Sequence, residues 1–245
     1  MQKLLGYIFT PIHYVVFILA MLVFHPLQVI AYTLGGRDSQ RKVLNAMLFF
    51  LTKSLYLAGV HVKFINFENI PEGRPLIIVA NHHHIHDITN LNWILRKFDV
   101  SFVSKAELGK NIPSISYNLR KSSSALIKRK DRRQSISEIL NLAKHIEKNK
   151  STTVIFPEGT RKHEGSLLRN FKPGGTAALI KKAPSALVIP VAISGTWRLQ
   201  GFPFPFGMTI TFERLKDIEP KDYETEEEVV KECERQVHDA VRVNG

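Results

Sequence analysis

Two hydrophobic periods divide the chain. Its first part is almost uninterruptedly apolar: after Lys3 no formally charged side chain occurs until Arg37. Pro11 and Pro26 break this stretch and leave residues 12–24 between them. That length suits an interfacial or re-entrant segment better than a span, which needs about 20 residues. Apolar character resumes after Pro26, so a kinked span is the competing reading. No small-residue cleavage site follows, and the apolar run is too long for a signal peptide. Gly35-Gly36-Arg37-Asp38 reads as a turn. Val43, Leu44, Met47, Leu48, Leu51 and Leu55 then recur at helical spacing. This second helix lies in a lipid interface, with Arg41, Lys42 and Lys53 toward phosphates, or packs on a core.

From Val60 the pattern changes. Val60, Val62 and Phe64 alternate as in a strand, and residues 75–80 form a compact apolar run typical of a buried strand. Residues 87–98 read as a helix with Ile88, Leu91, Ile94 and Leu95 on one side. Strands are expected at 100–104, 124–128, 152–156, 187–193 and 208–212. Pro190 places a bulge or a sheet edge in the fourth of these. Helices are expected within 106–120 and at 133–148, 174–182 and 226–243. Strands alternating with helices define an α/β fold: a mixed, largely parallel sheet sandwiched by helices, preceded by two membrane-associated helices. The domain division is an N-terminal anchor over residues 1–58 and a catalytic domain over 59–245.

Composition narrows the class. With 44% hydrophobic and 23% charged residues in 245, the chain is neither disordered nor polytopic. A single cysteine, Cys233, excludes an intrachain disulfide and a Cys-based zinc site. It sits in a run that reads as a polar helix and has no case as a nucleophile. The net charge of +12 is unevenly spread. Residues 96–182 carry 20 Lys/Arg against 7 Asp/Glu, whereas residues 213–239 carry 5 against 11. Such a basic field suits nucleic acid, anionic lipid, coenzyme phosphates or an acidic carrier protein. No nucleic-acid motif accompanies it, so nucleic acid is not an expected partner.

The chemistry concentrates in Asn81-His82-His83-His84-Ile85-His86-Asp87, between a strand and a helix. Five positions on a continuous helix amount to about 140° of rotation, so His82 and Asp87 would not face one another. They meet only if His82 precedes the helix and Asp87 sits in its first turn, where a carboxylate is also favoured. A histidine so oriented removes a proton from a hydroxyl near neutral pH, and the carboxylate stabilises the imidazolium. Two readings compete. His82, His84, His86 and Asp87 could bind zinc or iron, as in a membrane-bound hydrolase. Alternatively, His83, His84 and His86 are plain loop residues.

Downstream context separates these readings. Phe156-Pro157-Glu158-Gly159-Thr160-Arg161 leaves a strand with a carboxylate and a guanidinium three positions apart, and Arg161 is suited to clamp a phosphate. Before it, residues 125–129 end a strand at Lys128-Arg129. After it runs Val188-Ile189-Pro190-Val191-Ala192-Ile193-Ser194-Gly195. In this order and spacing the four blocks resemble the glycerolipid acyltransferase family, over residues 60–212. Here the second block lacks that family's usual glycine and aromatic residue, and His84 stands where many members have serine.

The resemblance implies an acyltransferase acting on a lysophospholipid, with 1-acylglycerol-3-phosphate as acceptor and an acyl thioester of coenzyme A or acyl carrier protein as co-substrate. Another lysolipid, such as a lyso-ornithine lipid, is the alternative acceptor. The resemblance makes His82 the general base and Asp87 its orienting partner. Arg129 and Arg161 hold the acceptor's phosphate, and Lys105 adds a contact. Glu158, Gly159 and Thr160 shape the acceptor site. No resident cofactor and no metal are required. The expected location is the bilayer surface, on the cytoplasmic face of the inner membrane.

Overall fold

The computed structural model describes residues 2–161 and 168–244, and side chains as far as Val241. Its centre is a seven-stranded sheet in the order β1-β7-β6-β2-β5-β3-β4. The strands are β1 (His61–Ile65), β2 (Leu76–Ala80), β3 (Val100–Lys105), β4 (Ala125–Ile127), β5 (Thr152–Ile155), β6 (Leu187–Ser194) and β7 (Thr209–Arg214). Every neighbouring pair is parallel except β6 and β7. The expected mixed, largely parallel sheet is therefore present. β2 explains the architecture best. All five of its side chains are buried, and both of its edges are paired, with β5 and β6. A strand buried on both faces needs apolar residues at every position rather than alternation. Fully burying each large aliphatic here contributes about 1.5–3 kcal/mol.

Two apolar layers flank the sheet. One gathers Leu91 and Leu95 with Phe102, Phe204 and Phe212. The other packs α4 (Arg132–Asn149), α5 (Pro173–Lys182) and α6 (Glu226–Asn244) through Leu142, Ile146, Leu179, Val229 and Val237. Cys233 lies in this second layer, fully buried, and burial pushes its thiol well above the ordinary range. α2 (Ile85–Ile94) starts two residues before the expected position. The helical expectation over 106–120 resolves into a short 3₁₀ turn, Ala106–Gly109, and α3 (Ile115–Lys121).

Pro190 lies in an inner strand, between β7 and β2, so the edge reading is corrected and the bulge reading holds. Val188 pairs with Ile218 and Val191 with Arg214, so three steps along β6 face four along its partner. The extra residue opens the ladder beside Pro190, where a missing N–H costs nothing.

Residues 2–57 form one helical element, α1 (Gln2–Leu57). It continues through Pro11 and Pro26, correcting their reading as interruptions; both prolines are exposed. The backbone leaves helical geometry only at Gly35 and Gly36, where Gly36 has φ 64° and ψ −155°. The two arms on either side pack together: Phe17 and Ala20 of the first meet Leu44, Met47, Leu48 and Leu51 of the second. The Gln40 amide donates to Gln28 across the same seam at 3.3 Å. The chain therefore reverses at the glycines. Arg37, just past the reversal, donates to Asp99 and Asn118 and fastens that end to the sheet.

Candidate functional site

The site lies beyond the carboxyl ends of the parallel strands, where open α/β sheets place their ligands. β2 delivers the histidine loop, β5 the Glu158 turn, and β3 and β4 deliver Lys105 and Arg129. Asn81 fixes the exit from β2. Its side-chain amide donates to the Ile193 carbonyl at 2.8 Å, and its oxygen accepts from the Ile193 N–H at 2.8 Å. This two-way clamp ties the loop to the neighbouring strand and was not assigned a role from sequence, since Ile193 is 112 positions away.

Asp87 lies in the first turn of α2, as the helix-angle argument requires. One of its oxygens accepts from His82 Nδ1 at 2.8 Å, from the His83 N–H at 2.7 Å and from the His84 N–H at 2.8 Å. The carboxylate thereby also satisfies backbone donors at the helix start. Burial opposes its charge, but the bonds from His82 and the main chain outweigh burial and hold its pKa below the ordinary value. An ionised Asp87 on Nδ1 requires that nitrogen to carry the proton, which leaves Nε2 of neutral His82 as a base. Phe156 stacks on the His82 ring at 4.2 Å between centroids, and fixes the ring plane. Phe156 belongs to the quoted motif, yet sequence gave no hint of this contact.

Glu158 is almost fully buried and accepts from the His82 main-chain N–H at 3.0 Å. Burial raises its carboxyl to about 7, although the bond from His82 opposes the rise. Its second oxygen, Oε2, is buried, and the charge and main chain of Arg169 also oppose the rise. Gly159 follows with φ +75° and closes a tight turn through its N–H to the Phe156 carbonyl at 3.0 Å. A side chain there would be strained by the backbone alone.

The cations sit apart from these carboxylates. Arg129 and Arg161 are both exposed, and among the described residues neither forms an ion pair. They are near enough that the charge of Arg161 depresses the Arg129 pKa, behind desolvation and against Glu107. Arg161 also faces the histidine loop: its charge helps to lower His84, which burial brings to about 4. Two exposed guanidiniums that feel one another's charge have the chemistry to receive an anion. Lys105 ends β3 on the same edge, exposed and without a bond to the other candidates. Thr160 is half-buried and likewise makes no bond to them.

The remaining histidines diverge. His82 turns to Asp87, while His86 turns to His13 of α1. Among the described residues no group of three or more His, Cys, Asp or Glu is arranged to hold a metal ion.

Fold and site together define the class: an α/β protein with a carboxylate-oriented histidine at the end of a central parallel strand, near two exposed arginines. The chain belongs to the acyltransferase family, whose Acyltransferase model matches residues 61–194. It is 29% identical over 165 residues to the 1-acyl-sn-glycerol-3-phosphate acyltransferase of Saccharomyces cerevisiae, covering 67% of this chain and 52% of that one. It is 30% identical over 180 residues to a 1-acyl-sn-glycerol-3-phosphate acyltransferase of Chlamydomonas reinhardtii, covering 73% and 51%. The chain thus spans about half the length of these curated relatives. Its structure is similar to the crystal structure of the 1-acyl-sn-glycerophosphate (LPA) acyltransferase PlsC from Thermotoga maritima. The TM-score is 0.80 at 26% identity, over 99% of this chain and 97% of that one. The family resemblance read from the four sequence blocks is confirmed.

Proposed function

We propose that the protein transfers a fatty acyl chain from an acyl thioester, on coenzyme A or acyl carrier protein, to the sn-2 hydroxyl of 1-acylglycerol-3-phosphate, giving phosphatidic acid. The observation that carries this reading is the 2.8 Å contact of His82 Nδ1 with a buried Asp87, near the exposed Arg129 and Arg161. His82 Nε2 takes the acceptor's hydroxyl proton. The alkoxide attacks the thioester carbonyl, the tetrahedral intermediate collapses, and the carbon–sulfur bond breaks. His82 returns the proton to the thiolate. General base catalysis of this kind supplies about 10²–10⁴ in rate. No covalent intermediate is needed, and the buried thiol of Cys233 lies in the opposite layer. Asp87 orients the ring, the two arginines and Lys105 receive the phosphate, and Glu158, Gly159 and Thr160 shape the acceptor's approach.

The acceptor is a membrane lipid, and α1 supports a seat in the bilayer. It is long and apolar enough to cross a membrane. Leu4, Ile8, Val15, Leu19, Leu22 and Val23 are each about half exposed or more. A patch of that kind on a soluble surface marks an interaction with lipid or protein. The cytoplasmic face is the side on which both thioester donors are present. The test is mass spectrometry of products from purified protein in vesicles, with phosphorylated and neutral lysolipids and each donor in turn. Phosphatidic acid is the expected product; acylation of every lysolipid at equal rates, or of none, overturns the reading.

A further inference from the structure

His13 and His86 form a contact that the proposed chemistry leaves unused. His13 belongs to the apolar first arm of α1, and His86 is the residue before Asp87. Their Nε2 atoms lie 3.2 Å apart, and both side chains are buried. A bond between two imidazole nitrogens needs one donor and one acceptor, so the rings hold complementary tautomers. The Nδ1 atom of His86 is buried without a partner among the described residues, whereas the His13 ring also meets the Ser54 main chain. The mutual bond is therefore the one polar tie of the His86 ring among the described residues. Burial holds His86 well below its ordinary range, and the neighbouring His84 and His13 add to this, so its ring is neutral.

The surroundings leave His86 little freedom. Phe17 meets its ring edge-on at 5.4 Å between centroids, and Phe204 lies at 6.3 Å. Phe204 is itself held to α1, its N–H donating to Thr10 Oγ1 at 3.0 Å. On the main chain, the His86 carbonyl accepts from Thr89 and Asn90. The first turn of α2 is thus fixed from two sides, from its own helix and from α1. Asp87 is the next residue in that turn.

We propose that His13 is a positioning residue: its bond to His86 holds the first turn of α2, and through it the Asp87–His82 pair, to the bilayer-facing helix. Seating of α1 and alignment of the base then become one event. This rests on the proposed acyl transfer for its kinetic readout, and a spectroscopic readout stands free of it.

The experiment compares His13→Phe, which keeps a ring but no nitrogen, with His13→Gln, which restores a polar atom near the Nε2 position. Both are assayed as full chains in vesicles. His13→Phe should lower kcat about tenfold, because small misplacements of a catalytic group carry penalties of that order. KM for the acceptor and vesicle partition should stay within about twofold, the pattern of a lost transition-state interaction. His13→Gln should return kcat to within about threefold of the parent. In parallel, the downfield His82 Nδ1 proton, assigned by its loss in His82→Ala, should be sharp in the parent and in His13→Gln and broadened in His13→Phe. Unchanged kcat and an unchanged resonance in His13→Phe overturn the proposal, as does a loss that Gln does not rescue or that falls on KM and vesicle binding. If the parent turns over no lysolipid, the functional reading fails while the resonance still decides the positioning role.

Discussion

Glu158 is the group whose titration tests the electrostatics of the site most directly. Its side chain is 1% exposed, and burial raises its carboxyl from 4.5 to about 7. Below about pH 4.5 the folded and unfolded chains both hold this proton, so the group costs nothing. Between about 4.5 and 7 the unfolded chain has released it and the folded chain has not, so stability falls as pH rises. Above about 7 the cost is constant. A shift of roughly 2.5 units at about 1.4 kcal/mol per unit makes that cost about 3 kcal/mol.

Glu158→Gln isolates this quantity. The glutamine oxygen still accepts from the His82 N–H, and its amide nitrogen takes the buried place of Oε2. The unpaired amide adds an offset of about 1–3 kcal/mol that does not depend on pH. The assay is urea unfolding of both proteins in detergent from about pH 4 to 8, followed by circular dichroism. The stability of the parent minus that of Glu158→Gln should fall by about 3 kcal/mol across this range, with the change lying between about 4.5 and 7. A difference that stays flat within about 0.5 kcal/mol refutes the raised carboxyl.

His82→Ala should reduce turnover by about 10²–10⁴ and leave vesicle binding intact; retained turnover defeats the mechanism. Arg161→Ala should raise KM for a phosphorylated acceptor by about tenfold, the value of a charge-assisted hydrogen bond, without affecting a neutral lysolipid. A fall in kcat alone would remove the phosphate role. Leu19, Leu22 and Val23 are 52–55% exposed. Changing all three to Ser should weaken vesicle partition by about 1 kcal/mol per site and leave urea unfolding in detergent unchanged; full retention on vesicles would move the anchor elsewhere.

The parts of the fold that were readable in sequence are those set by short-range rules. The uninterrupted apolar run of β2 and the amphipathic spacing of α4 and α6 state their own burial. The His82–Asp87 contact was readable because the angle between helical positions allows only one arrangement. Pro190 was half readable: its missing N–H demanded a gap in the ladder, but the gap is made by an extra residue in the partner segment, far along the chain. Pro11 and Pro26 misled because exposed positions on a long helix tolerate the lost bond. His13 carried no signal at all. A lone histidine in an apolar helix reads as an isolated polar residue until the fold sets it against His86, 73 positions away.

A His/Asp pair with no nucleophile of its own changes what the rest of the site must do. A serine enzyme carries its attacking oxygen into every encounter, whereas in the proposed reaction the attacking oxygen arrives with the acceptor. The orientation of that acceptor then contributes directly to the barrier, and holding a reactant in place is worth as much as about 7–11 kcal/mol when the geometry is right. In that reaction a phosphate held between Arg129 and Arg161 would be a fixed point from which the hydroxyl reaches Nε2. The Arg161 charge also reaches the histidine loop at His84. The bond from Glu158 to the His82 main chain has the same logic from the other side. It joins the β5 turn that carries Arg161 to the loop that carries His82, so the two keep their separation as one unit.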